Sequence, residues 1–324
     1  MRVLVTGASG MLGGAVAGLL AARGDDVVVL QRRPSGLAGS AGVSEVLGDV
    51  TDPAAVRTAA RGADAVVHLA AKVSVTGAWR DFESVNIHGT RTVLDAALAA
   101  GADRFVQVSS PSVAHVGRAL VGAGADRADP VRARGHYARS KATAELLALA
   151  ADGPNLAVVA IRPHLVWGPG DTQLVARIIQ RARAGRLALI DHGAALIDTT
   201  YVSNAADAIV AAVDRAPAAR GQALVVSNGE PRTVAELVTR ICRAAGAPEP
   251  RLRVPYRVAA AGGAAAELLW AALRRSDDPP MTRFLAEQLS TAHWFDQRHT
   301  REVLQWTPSI DLDFGFELLA AGPR

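Results

Sequence analysis

One cysteine, Cys242, stands among 324 residues, so no intramolecular disulfide can form, and a reducing cytoplasm is the expected setting. Lysine is nearly as scarce: of 35 basic residues only Lys72 and Lys141 are lysines, while alanine makes up about a fifth of the chain, the bias of a GC-rich genome. A lysine kept against that bias is a candidate for chemistry that arginine cannot perform. Long hydrophobic runs are missing too. The most apolar one, residues 258–273, is shorter than a bilayer span and is broken by Glu267, so no membrane span is expected. The N-terminus MRVLVTGASG lacks the basic, apolar and small-residue layout of an export signal. Charge of one sign is not concentrated anywhere: the net charge is +4 and arginines alternate with acids, which speaks for a solvated surface and against a nucleic-acid face. No metal site is nominated. With 50% apolar and 20% charged residues, disorder is excluded and one or two domains are expected.

What is present is a rhythm. The apolar run 2–6 ends in a glycine-rich turn and is followed by an alanine and leucine stretch, 11–23, that stops at Gly24. Further runs at 27–30, 46–47, 65–69, 105–108 and 156–161 alternate with helical stretches at 53–60, 82–100 and 136–151. Apolar strands alternating with helices predict a parallel sheet buried on both faces, with right-handed crossovers: a doubly wound α/β fold of the Rossmann type. After Pro163 the rhythm loosens, with a turn at Trp167-Gly168-Pro169-Gly170, a helix at 173–184 and a return strand at 223–227. The expected division is a dinucleotide-binding domain over 1–165 and a smaller, mostly helical substrate lobe over 166–324.

The turn Thr6-Gly7-Ala8-Ser9-Gly10-Met11-Leu12-Gly13 places glycines three apart, directly after a strand and directly before a helix. Gly7 permits the tight turn, Gly10 lets backbone approach a pyrophosphate, and Gly13 allows helix to pack on strand. Ser9, Met11 and Leu12 complete this phosphate-binding segment. An acid ending the second strand would bind ribose hydroxyls and favour NAD; here Gln31-Arg32-Arg33 stands instead. Two guanidiniums suit a 2′-phosphate, so NADP(H) is the expected cofactor, with NAD(H) the alternative. Asp49 and Val50 follow the third strand toward the adenine, and Leu69, Ala70 and Ala71 follow the fourth.

Tyr137 and Lys141 lie four apart, on one face of a helix. A phenol is a suitable acid for a carbonyl oxygen that gains a proton, provided its pKa is brought down from about 10, and a nearby ammonium acts in that direction. Ser109-Ser110-Pro111-Ser112, ending the fifth strand, supplies a hydroxyl to hold the carbonyl; Ser110 is chosen by motif alignment.

These stretches, together with HLAA, SVNIHGT, YARSK and IRPHLVWGPGD, make the chain similar to the extended short-chain dehydrogenases/reductases over nearly its whole length. SPSVAH, VWGPGD, ALIDTTYVSNAADA, VSNGEP and MTRFLAEQLSTAHWF place the resemblance in the 3-beta-hydroxysteroid dehydrogenase branch, nearest the bacterial 2-alkyl-3-oxoalkanoate reductases of olefin and beta-lactone biosynthesis. The resemblance implies Ser110, Tyr137 and Lys141 as the catalytic set and Asn86 as a support of the cofactor region. It also implies Pro163 and His164 beside the nicotinamide carboxamide, and a homodimer packed through the helices at 82–100 and 136–151. The implied reaction is NADPH-dependent reduction of a 2-alkyl-3-oxoalkanoic acid to the 3-hydroxy acid. Alternatives are a 3-beta-hydroxysteroid or sterol-4-carboxylate dehydrogenase, a nucleotide-sugar epimerase, and a non-catalytic dinucleotide sensor. A lipophilic keto acid or sterol-like substrate calls for a cationic anchor, with His115, Arg118, Arg132 and Arg134 as candidates, and an apolar trough, sought at 258–273 and 280–289. Trp167 and Trp294 fit either the trough or the core.

Overall fold

The computed structural model describes residues 1–322 apart from 75, 116, 274 and 276–278. Its strands are β1 (Arg2–Thr6), β2 (Asp26–Gln31), β3 (Val43–Leu47), β4 (Ala65–His68), β5 (Arg104–Val108), β6 (Leu120–Ala123), β7 (Ala157–Pro163), β8 (Val166–Trp167), β9 (Ala188–Ile190), β10 (Leu196–Ile197), β11 (Thr200–Tyr201), β12 (Ala223–Val226), β13 (Arg232–Thr233), β14 (Leu252–Val254) and β15 (His293–Phe295). The α-helices are α1 (Met11–Ala22), α2 (Pro53–Ala60), α3 (Trp79–Phe82), α4 (Gly89–Ala100), α5 (Gly135–Leu149), α6 (Val175–Arg183), α7 (Val202–Ala219), α8 (Val234–Ala244), α9 (Tyr256–Ala272), α10 (Arg283–Ser290), α11 (Arg298–Leu304) and α12 (Leu312–Ala321).

Seven parallel strands in the order β12-β7-β5-β4-β1-β2-β3 form the main sheet. Its strands are apolar throughout because both faces are covered. Val3 and Val5 pack on Val16 and Leu20 of α1 and Ile209 and Val213 of α7; Leu4, between them, points the other way onto Val56, Val93 and Phe105. The chain winds outward from β1 in both directions, through β2 on one side and β4 on the other. The loops after β1 and β4 therefore diverge and leave a crevice at the strands' carboxyl ends. The expected return strand is present as β12, parallel to β7.

Two expectations change. The helix read over 82–100 is α3, a π-helical stretch Glu83–His88 and then α4; this wider turn carries the buried Asn86, and such turns occur where a side chain must leave the regular ladder. The region after 163, expected to be mostly helical, also carries the short strands β8 to β11 and β13 to β15. α7, 18 residues long, covers one sheet face, yet its alanines blur the contrast on which helical periodicity depends. A four-stranded sheet, β13-β10-β15-β6, joins distant segments, and its strands are too short to show alternation in sequence. A second core gathers here around Trp167, Tyr201 and Phe316. Trp167, whose indole N–H donates to Thr199 Oγ1 at 3.0 Å, belongs to that core.

Candidate active site

The crevice begins at the glycine turn. Gly7 has φ +81°, and a Cβ there would lie 2.9 Å from the Ala70 amide nitrogen; a Cβ on Gly13 would lie 2.3 Å from the Gly7 carbonyl oxygen. The turn thus excludes side chains at both places. Gly10 caps α1 without a side-chain hydrogen bond, so the amides opening the helix, with its positive dipole, face the crevice as an anion cradle.

From this turn runs a cleft of about 390 Å³. Of the residues nominated for a cofactor, Gly7, Ser9, Gly10, Leu12, Gly13, Arg32, Asp49, Val50, Leu69, Ala70, Ala71, Tyr137, Lys141 and Pro163 line it. Sequence reading did not nominate Leu30, Gln31, Gly48, Val73, Val85, Val108, Ser109 or Val166, which also line it; several are apolar strand ends that sequence alone does not distinguish from core. Gln31 is buried and its amide donates to Glu45. Among the described residues, Gln31 Oε1 and Ser109 Oγ are buried with no hydrogen-bond partner. Buried polar atoms are rarely left so, and both lie on the wall of this cleft. A glycine cradle, an open helix N-terminus and these two unpaired oxygens together fit a dinucleotide.

Four nominated residues stand elsewhere. Met11 and Arg33 do not line the cleft, and Arg33 is exposed. His164 is turned away from it: His164 Nε2 meets His293 Nδ1 at 2.8 Å, and His293 Nε2 meets the Gln288 carbonyl at 2.8 Å. Burial pushes both rings below their usual pKa, His164 well below it, which favours the neutral forms. The carbonyl must receive a proton from His293, which leaves His293 Nδ1 to accept from His164. The ring expected beside a nicotinamide instead joins the residue just after β7 to β15. Asn86 acts from behind the wall. Its Oδ1 accepts from the Lys72 amide at 2.7 Å and its Nδ2 donates to Ser140 Oγ at 2.9 Å, while Ser140 Oγ donates to the Tyr137 carbonyl. Asn86 therefore ties the loop after β4 to the first turns of α5. His68 does the same for Ala70: Thr6 Oγ1 bridges the Ala70 amide and His68 Nδ1, and the ring's other nitrogen meets Thr90 Oγ1. Burial, with Lys141's charge second, pushes His68 down to about 3.

Lys72 lies outside this group. Its ammonium pairs with Asp81 at 3.3 Å and sits over the Phe82 ring, so its survival against the arginine bias carries no signal for the cleft.

Tyr137 and Lys141 both reach the cleft from one face of α5. Lys141 is buried and donates to the Val108 carbonyl at 2.6 Å; burial pushes it down to about 8, against the pull of Glu145. Burial raises the Tyr137 phenol above its ordinary value, and a hydrogen bond with Ser110 acts the other way. Burial dominates, so the phenol stands above its ordinary value and not below it as expected. Ser110 Oγ lies 2.9 Å from Ser112 Oγ. Ser109 lines the cleft and Ser112 a second cavity, while the nominated Ser110 lines neither and reaches the site through its hydrogen bonds to Tyr137 and Ser112.

That second cavity, of about 770 Å³, shares Tyr137 and Val73 with the cleft. Of the anchors expected from sequence only Arg134 lines it, with Arg177 and Arg283 in addition; His115, Arg118 and Arg132 do not. His115 is buried instead, behind the wall. Arg134 is ion-paired with Glu287, and Arg283 pairs with Glu267 at 3.3 Å. The cavity is apolar over most of its lining, as the expected trough requires, but charged groups interrupt it. Residues 258–273 contribute only Ala260 and Glu267, and residues 280–289 contribute Thr282, Arg283, Phe284 and Glu287. Trp294 stacks near Gly122 and borders a separate surface hollow.

A family model described as the NAD dependent epimerase/dehydratase family matches residues 3–227. The chain is 41% identical to a 2-alkyl-3-oxoalkanoate reductase of Stenotrophomonas maltophilia, an alignment covering 99% of each chain. It is 31% identical to a 3-beta-hydroxysteroid dehydrogenase of Mycolicibacterium neoaurum, over 79% of this chain and 74% of that one. Among solved structures, the UDP-glucuronic acid 4-epimerase from Bacillus cereus in complex with NAD superposes with a TM-score of 0.76 at 19% identity, covering 99% of this chain and 98% of that one.

Proposed function

From the premise that the chain belongs to the NAD-dependent epimerase/dehydratase family of extended short-chain dehydrogenases/reductases, an oxidoreductase acting on hydroxyl or keto groups, we propose that it reduces the ketone of a 2-alkyl-3-oxoalkanoic acid with NADPH. One observation carries the reading: the Tyr137 phenol, hydrogen-bonded to Ser110, stands where the dinucleotide-shaped cleft meets the second cavity. A ketone lying in that cavity meets a proton donor at the boundary with the cofactor. The relative from Stenotrophomonas maltophilia supports the substrate class. Residues 1–165 would hold the dinucleotide and 166–324 the substrate, and two copies would pair through α4 and α5.

When bound, the dinucleotide supplies a hydride to the carbonyl carbon. The chain's own groups do the rest. Tyr137 gives its proton to the ketone oxygen, and Ser110 holds that oxygen in line. The raised phenol pKa keeps the proton in place at neutral pH, which suits reduction. Lys141 spends one ammonium hydrogen on Val108 and keeps two for the ribose hydroxyls. A substrate carboxylate would compete with Glu287 and Glu267 for Arg134 and Arg283, whose forked guanidiniums can serve two carboxylates, with Arg177 in the same wall.

Lys141 titrates near 8, so the ammonium is lost as pH rises through that value. Turnover at saturating cofactor is expected to fall across the same range, and a profile flat through it would remove Lys141's charge from the mechanism. Arg32 lines the cleft and is 72% exposed, its Nε 4.0 Å from Asp49, so it is held only loosely and can turn to a 2′-phosphate. Arg32→Ala is expected to raise KM for NADPH roughly ten- to a hundredfold, the worth of a charge-assisted hydrogen bond, and to leave KM for NADH unchanged. Equal changes for both cofactors would overturn the NADP assignment. The proposal as a whole is tested with a panel: NADPH oxidation with 2-alkyl-3-oxoalkanoates, NAD(P) reduction with 3-beta-hydroxysteroids, and interconversion of UDP-sugars. Turnover confined to either of the last two sinks it.

A further inference from the structure

Along α5 the residues that meet the two spaces follow one another. Arg134, at the helix N-cap, lines the second cavity, Tyr137 lines both spaces, and Lys141 lines the cleft. Spacings of three and four set them one turn apart along one side of the helix. Arg177 and Arg283, which also line the second cavity, come from α6 and α10. Arg134 shares its helix with the phenol.

That placement matters for a 3-oxo acid. Its carboxyl carbon is two carbon–carbon bonds from the ketone carbon, about 2.5 Å away. Once Tyr137 holds the ketone oxygen, the carboxylate lies close by, and its anchor must stand beside Tyr137. The Arg134 guanidinium is held there from two sides. Nη1 donates to Glu287 of α10, and a Cβ on Gly117, φ +81°, would overlap the guanidinium, so a side chain at that position would displace the arginine. Among the described residues the guanidinium meets no second carboxylate, and a fork of five N–H donors has others to give. Glu287, 14% exposed against 49% for Arg134, lines the cavity as well. A carboxylate entering this space therefore meets an opposite charge from α5 and a like charge from α10.

We propose that Arg134 and Glu287 set the choice between 3-oxo acids and neutral ketones. Arg134 binds the substrate carboxylate one helical turn from Tyr137, and Glu287 is the internal carboxylate with which every acid competes for it. A neutral ketone, a steroid among them, brings no charge to displace Glu287 and gains nothing from the exchange. This rests on the keto-acid reading and names the residues that enforce it.

The test is calorimetric titration of the full chain, saturated with NADP⁺, with 2-butyl-3-hydroxyoctanoate and with its methyl ester. Arg134→Gln is expected to weaken binding of the acid roughly ten- to a hundredfold, the worth of a charge-assisted hydrogen bond, and that of the ester by less than about threefold. Glu287→Gln is expected to act the other way and tighten the acid about tenfold, because a like charge leaves the cavity. Should Arg134→Gln unfold, that gain carries the test, since lost packing does not tighten binding of the acid alone. Equal weakening of acid and ester by Arg134→Gln overturns the proposal, as does unchanged or looser binding of the acid by Glu287→Gln. A loss that follows Arg177→Gln or Arg283→Gln in place of Arg134→Gln moves the anchor to another wall and overturns it too, and so does an unaltered chain that does not bind the acid. These readouts are affinities. Absence of turnover in the substrate panel sinks the reductase reading, whereas the acid and ester affinities decide this one.

Discussion

Tyr137→Phe is expected to lower the rate of ketone reduction by roughly 10²- to 10⁴-fold, the usual worth of a positioned general acid. The ring stays and only the hydroxyl goes, so the walls of both spaces keep their shape. Dinucleotide affinity, followed by quenching of protein fluorescence, is expected to stay within about threefold, since the phenol contributes little to binding the adenosine end. Retention of more than about a tenth of the rate would mean that another group protonates the ketone. A non-catalytic sensor would show no turnover in either form. Ser110→Ala gives a useful contrast. It removes the one hydrogen bond that offsets burial in setting the phenol's pKa, so the phenol is expected to rise further, and any basic limb that Tyr137 contributes to the rate profile should move to higher pH.

The second large effect is on stability. Arg162 of β7 and Glu145 of α5 form a pair in which each side chain is 1% exposed. Two hydrogen bonds join them, at 2.8 and 2.6 Å, and Arg162 also donates to the Asp126 carbonyl at 2.7 Å. Arg162→Leu leaves Glu145 as a buried carboxylate without its cation, which is expected to cost about 3–5 kcal/mol. Denaturant unfolding measures this; a loss under about 1 kcal/mol would mean that water or another cation reaches Glu145. Glu145 sits one helical turn past Lys141 and opposes the effect of burial on it, so the pair also holds α5 at the depth where Tyr137 and Lys141 meet the cleft. Replacing both partners by apolar residues of similar size is expected to restore most of the stability, because the main penalty is the unpaired charge.

Much of this molecule was legible in residue order. The apolar runs and the glycine spacing specify β1, its turn and α1 because strand burial and side-chain exclusion are local demands. The same holds for α2, where Asp52 accepts from the Ala54 amide and Pro53 opens the helix. Tyr137 and Lys141 could be paired from sequence since four residues make one turn. What sequence could not supply was direction and depth. Nothing in the order of residues says that His164 turns to His293, 129 positions away, or that Ser109 and Ser112 face different spaces. Nor could it show that Lys141 spends its hydrogen bond on Val108 while burial raises the phenol. Residues 258–273 read as apolar, but which of their sides is covered depends on what packs against α9. Desolvation and long-range hydrogen bonds are properties of the assembled core, and they alone decided which of the nominated residues meet.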